Sequence, residues 1–208
     1  SQYDPWPLIQ LVKKNVESGF YDRDLLTAFS TDEWNLLDSF IKHERDENFT
    51  YVAMEQWRGK YLVQNRVTKD IFETPQIAYL LIAATLFQSY PKENRLSWIK
   101  DYYDAISLHD ISLPTPVMAG VRTPQKQFSS CVLIETDDSL DSINATAASI
   151  VRYVSQKAGI GIGAGRIRAL GSPIRSGDAY HTGVIPFYKH FQSATRSCSQ
   201  GGVRNGAA

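Results

Sequence analysis

Through the first half of the chain, apolar residues recur at the spacing of one helix face. "PWPLIQLVKKNVESG" sets Leu8, Ile9, Leu11, Val12 and Val16 on such a face and stops at Gly19. "STDEWNLLDSFIKHERD" opens with Ser30 and Glu33 in the arrangement of a capping box, then repeats its apolar face at Trp34, Leu37, Phe40 and Ile41. "KYLVQNRV" reads as a short strand. Thr74-Pro75, an N-cap followed by proline in the first turn, opens the apolar helix "QIAYLLIAATLFQSY", and Pro91 starts "PKENRLSWIKDYYDAIS". Residues 1–110 therefore predict a helical domain.

From Ile111 the pattern changes. "ISLPTPVMAGVRTPQKQ" carries three prolines and reads as extended and loop-like, with no helix. "FSSCVLIE" predicts a buried strand with Cys131 early in it. Asp138 is expected to cap the helix "SLDSINATAASIVRYVSQKA", whose stripe is Leu140, Ile143, Ala147, Ile150, Val151 and Val154. A glycine ladder, "GIGIGAG", and an arginine-bearing loop follow; one more helix, "IPFYKHFQSATRS", leads into the loop "CSQGGVRNGAA". Alternating strands and helices over residues 111–208 predict α/β architecture.

Composition narrows the function classes. The 208 residues are 43% hydrophobic, enough for a core. Lysine plus arginine and aspartate plus glutamate number 22 each, so no net field favours nucleic acid or a membrane surface. The sequence has no run of 18 apolar residues and no basic-apolar-small leader, which predicts a cytoplasmic protein. Cys131 and Cys198 stand far apart and read as buried thiols of a reducing compartment.

Candidate chemistry is sparse in the helical part. "HERD", His43 to Asp46, resembles an acid–base cluster, but consecutive helical residues point in different directions, which makes it a charged helix end. None of the four histidines has a metal-ligand spacing, so no metal is expected. In the second half, Gly159, Gly161 and Ala164 fit a loose dinucleotide-binding fingerprint. The context fails it, because a helix precedes the glycines and a loop follows them. Alternating glycines still permit close approach of a ligand or another strand. Arg166, Arg168 and Arg175, among Gly171, Pro173 and Gly177, suit phosphate oxygens or an ordinary surface loop equally well.

The stretches "LPTPVMAGVRTPQKQFSSCVLIE", "DSLDSINAT", "AGIGIGAGRIRALGSPIR" and "CSQGGVRNGAA" resemble the large subunit of class I ribonucleotide reductase, in its bacterial and phage form. The resemblance is collinear over nearly the whole chain and dense from Ile111 onward. It implies the front portion of a larger catalytic subunit: an N-terminal helical domain, then the first strands and helices of a ten-stranded α/β barrel. An ATP-binding cone would precede these helices and most of the barrel would follow. Gly163 stands where bacterial members often carry Asn, and Asn205 where Gly or Pro is common.

On that resemblance, Cys131 corresponds to one of two cysteines that reduce the substrate; its partner and the radical-bearing cysteine lie downstream of these residues. Thr115 and Ser130 correspond to substrate contacts, and Ala158 and Gly159 to positions where backbone N–H groups meet the diphosphate. Asp138, Ser139, Leu140, Arg168 and Arg175 correspond to the site for the allosteric effectors dTTP, dATP, dGTP and ATP. Gln200 and Arg204 correspond to the loop between effector and substrate. The implied partners are the rest of the large subunit, a second large subunit docked through the helix after Asp138, and a small subunit with a di-iron tyrosyl radical. Thioredoxin or glutaredoxin would be the reductant. A nucleotide-binding regulatory module without catalysis is the alternative, and retention of Cys131 argues against it.

Overall fold

The computed structural model describes residues 6–198, so Gln200, Arg204 and their loop lie outside the described residues. The chain divides into two compact units, residues 1–128 and 129–208. The change of sequence texture falls at Ile111, whereas the units part further on, after Phe128.

The first unit is helical: α1 (Leu8–Glu17), α2 (Asp24–Ala28), α3 (Thr31–Phe40), α4 (Tyr51–Gln56), α5 (Pro75–Phe87), α6 (Lys92–Ser107) and α7 (Thr115–Gly120). Helix α5 is its axis. Thr74 Oγ1 accepts from the Ile77 N–H, proline fills the first turn, and every residue from Pro75 to Ala84 is buried. The amphipathic helices pack around it with Leu8, Val12, Trp34, Leu37 and Ile99 turned inward. The capping box of α3 is present, and Glu33 serves a second purpose. Its carboxylate also receives Arg95 from α6, at 2.7 and 2.8 Å from Nη2.

Two expectations fail in this unit. Lys60 and Tyr61 belong to a π-helical turn, Trp57–Tyr61, and the rest of "KYLVQNRV" is irregular, with one isolated bridge from Gln64 to Ile71. The proline-bearing stretch after Ile111 does contain a helix, α7. Pro114 precedes it and Pro116 sits in its first turn, where a missing N–H leaves no intrahelical bond unmade. The "HERD" segment begins a 3-10 turn, His43–Asn48, and works structurally. Arg45 pairs with Asp104, and Asp46 accepts from Gln76 Nε2 at 2.9 Å.

The second unit contains β1 (Cys131–Glu135), α8 (Leu140–Ser155), β2 (Gly159–Gly163), a short hairpin of β3 (Pro173–Ile174) and β4 (Ala179–Tyr180), and α9 (Ile185–Arg196). Strands β1 and β2 are parallel, with Cys131 opposite Gly159 and Glu135 opposite Gly163. The α8 crossover makes this a βαβ unit. Ile143, Ile150 and Val154 of α8 pack with Ile160, Ile167 and Phe191, and with Val132 and Ile134 from β1. The two strands do not close into a barrel among the described residues.

Here too the structure corrects the sequence. The cap of α8 is Ser139, whose Oγ accepts from the Ser142 N–H at 3.1 Å; Asp138 is used elsewhere. Leu140 and Val151, placed in the apolar stripe, are 70% and 43% exposed. The glycine ladder supplies a strand, β2, and β1 is half-buried on one face and exposed on the other. Cys131 is exposed, not buried, and Cys198 is half-buried beside α9. No helix among the described residues is long and apolar enough to cross a membrane.

Candidate functional site

The two ends of the parallel pair hold different chemistry. At the start of β1, Ser130 and Cys131 are exposed, and the Ser130 carbonyl accepts from the Gly159 N–H at 2.9 Å. Because side chains alternate across a sheet, Cys131, Leu133 and Glu135 share one face of β1. The glycines of β2 lie on that face beside them. A Cβ on Gly159 would meet Cys131 Sγ at 3.5 Å, one on Gly161 would meet Leu133 Cδ2 at 2.7 Å, and one on Gly163 would meet the Glu135 carboxylate at 2.5 Å. At Gly161 and Gly163 the ladder is bare so that Leu133 and Glu135 can lean over it. Gly163 and Glu135 are thus a matched set, and an Asn at 163 would require Glu135 to move.

Both N–H groups expected at a diphosphate are already used within the fold. Ala158 donates to Tyr153 O at 3.0 Å and Gly159 donates to Ser130 O. A phosphate contact there would share these donors. Thr115 belongs to the first unit, where it is the first residue of α7 and half-buried.

At the other end, the loops after β1 and β2 meet acid to base. Asp138 takes two bonds from Arg168: from its backbone N–H at 3.1 Å and from Nε at 2.5 Å. These bonds, the backbone one first, hold the Asp138 carboxyl below its usual value. Arg168 Nη1 donates to Pro173 O at 3.2 Å, while Nη2 makes no hydrogen bond among the described residues. Asp138 therefore orients the guanidinium and leaves one edge open.

Arg175 is exposed in the turn between β3 and β4, where Arg175, Ser176 and Gly177 have φ of 51°, 56° and 94°. Its side chain has no hydrogen bond or ion pair among the described residues. Ser139 is committed to the α8 cap, and Leu140 stands in solvent beside it. The structure thus gathers Asp138, Ser139, Leu140 and Arg168 at the strand ends, the usual place for ligands in parallel α/β folds.

One pair escaped the sequence reading. Arg166 Nη1 donates to Asp137 Oδ1 at 2.7 Å and its Nε lies 4.0 Å from Glu135 Oε2. The only local signal was the doubled acid, Asp137-Asp138, facing a doubled arginine, Arg166 and Arg168. With both pairs formed, basic loops that look rich in free charge are half neutralised.

Comparison with known proteins gives the family. Residues 47–126 match the model of the ribonucleotide reductase all-alpha domain, and residues 129–208 that of the ribonucleotide reductase barrel domain. The chain belongs to the ribonucleotide reductase large-subunit family. It is 63% identical over 207 residues to ribonucleoside-diphosphate reductase 1 subunit alpha of Salmonella typhimurium, covering 100% of this chain and 27% of that protein. The Escherichia coli protein of the same name gives the same identity and coverage. The alpha subunit of Enterobacteria phage T4 is 54% identical, again over 27% of its length. The chain therefore spans about a quarter of these relatives. The β1–α8–β2 unit falls within the stretch that matches the barrel domain, and the stretch that matches the all-alpha domain falls within the first unit.

Proposed function

We propose that these residues serve the large subunit of a ribonucleoside-diphosphate reductase, which converts ribonucleoside diphosphates to deoxyribonucleoside diphosphates. The observation that carries this reading is the thiol of Cys131, exposed on the sheet face above Gly159. A core thiol would face the opposite side of β1, where Val132 and Ile134 pack. Cys131 would act as a two-electron donor together with a second cysteine. Two thiols become one disulfide, releasing two electrons and two protons: one proton leaves with the ribose 2′-hydroxyl as water, and the other, with the two electrons, forms the new C2′–H bond. Radical chemistry initiated by a small subunit would start the reaction, and thioredoxin or glutaredoxin would reset the disulfide.

Ser130 stands next to the thiol and Thr115 heads α7; both would meet the substrate, with Ala158 and Gly159 near its diphosphate. Arg168 and Arg175 would hold the effector triphosphate, with Asp138 accepting from its sugar as well as orienting Arg168. Ser139 and Leu140 would complete that site. Gln200 and Arg204, outside the described residues, would carry the effector's choice to the substrate. The exposed Leu140 and Val151 on α8 suit apposition to a second large subunit.

A single turnover tests the central claim. The large subunit, pre-reduced and stripped of dithiol, is mixed with small subunit, CDP and effector, then digested under non-reducing conditions. We expect the Cys131 peptide in disulfide linkage, in proportion to dCDP formed. Product formation with Cys131 still alkylatable would overturn the assignment.

A further inference from the structure

Arg122 is a fully buried arginine whose five N–H donors are all used. Nε and Nη2 grip the Glu73 carboxylate, Nε at 2.9 Å from Oε2. Nη2 also reaches Tyr61 O at 3.1 Å. Nη1 turns back to α7 and donates to the carbonyls of Met118, at 2.8 Å, and Val121, at 2.9 Å. Glu73 is itself saturated by the Tyr21 hydroxyl at 2.6 Å and the Val63 N–H at 2.8 Å. Arg122 adopts a φ of 86°, which a non-glycine residue rarely takes, and its carbonyl accepts from the Asp22 N–H.

Helix α7 has six residues, too few to persist as a helix without tertiary support. The guanidinium binds carbonyls at its C-terminal end and is itself bolted to Glu73. Thr115 is at the other end of the same short helix. We infer that Arg122 is a positioning residue for substrate binding: it fixes α7, and through α7 the hydroxyl of Thr115. This rests on the proposed substrate role of Thr115. It adds a determinant that touches no substrate.

The test uses the full-length large subunit with its small subunit. Arg122→Lys keeps the charge, but an ammonium has three donors and no planar fork, so it cannot hold Glu73 and the α7 carbonyls together. In folded R122K we expect kcat/KM for CDP to fall about ten- to a hundredfold. The loss should lie mainly in KM, with the effector dissociation constant unchanged. A purely structural role would lower Tm and leave KM alone; folded R122K with wild-type KM overturns the inference. Thr115→Ala separates the two claims. If T115A does not raise KM, the substrate role of Thr115 is wrong; if it does and R122K does not, only the positioning role is wrong. The double variant should be no worse than the worse single one, and additive losses would also count against the inference.

Should R122K fail to fold, Tyr21→Phe removes only the hydroxyl that steadies Glu73. It should raise KM about two- to fivefold, in proportion to one lost hydrogen bond. An unchanged KM in Y21F would overturn the inference equally.

Discussion

Gly159 lies beside the thiol of Cys131, and a methyl group added there would stand 3.5 Å from Sγ. That distance is ordinary van der Waals contact, and Gly159 has no positive φ. The glycine is therefore not needed for folding; it leaves open one flank of the thiol.

Gly159→Ala should fold normally and gain about 0.5–1 kcal/mol from reduced freedom of the unfolded chain. The added methyl should slow alkylation of Cys131, followed by mass spectrometry of its peptide. A Tm that collapses, or an unaltered alkylation rate, would contradict this account of the ladder.

Cys131→Ser should abolish multiple turnover with dithiol reductant and leave nucleotide binding intact. A hydroxyl replaces the thiol with little change in volume but cannot enter a disulfide. Sustained dCDP formation by the variant would show that the thiol is not a reductant.

The two arginines proposed to hold the effector should behave differently. Arg175 has no partner among the described residues, so Arg175→Ala should raise the effector dissociation constant about ten- to a hundredfold with little change in Tm. Arg168 ties Asp138 to the Pro173 carbonyl. Arg168→Ala should weaken effector binding comparably and also loosen the 164–174 loop, seen as faster amide exchange there. Equal loop protection in both variants would refute this division.

Glu33 makes the first unit sensitive to acid. Burial would raise its pKa, but the Ser30 N–H and Arg95 outweigh burial and hold it below the ordinary 4.5. A depressed carboxylate contributes stability that is present above its unfolded pKa and lost as pH falls through the folded value. Wild-type Tm should therefore drop as pH is taken below about 4.5, and Glu33→Gln should flatten that slope while lowering Tm at neutral pH. An identical pH slope in the variant would mean the pair carries no linkage.

The helices of the first unit were legible because their signals are local. The capping box at Ser30, the Thr74-Pro75 start and the apolar face of α1 each lie within a turn or two. Helix α7 was hidden by its prolines, which stop a helix only beyond its first turn. Strand β2 was hidden for the opposite reason. A glycine run reads as a loop unless one knows that Cys131, Leu133 and Glu135 will cover it from the neighbouring strand. The apolar "CVLIE" suggested two buried faces, yet Leu133 is 85% exposed. Arg122 and Glu73 lie 49 positions apart with no periodic link, so nothing local announces them. Of the candidate site, Cys131, Asp138 and Arg168 were named from sequence, but the Asp138–Arg168 bond itself required the fold.

The parallel pair that separates the thiol from the loops of Asp138 and Arg168 also works as a ruler. Cys131 and Glu135 are held about 13 Å apart by four extended residue steps. The bond from the Thr136 N–H to Gly163 O at 2.9 Å carries the strand ladder one residue past its end. A hydrogen-bonded strand cannot stretch or shorten without breaking its ladder. A nucleotide held at Arg168, as proposed, would therefore tilt or twist the strand as a stiff lever and would not draw the thiol closer along it.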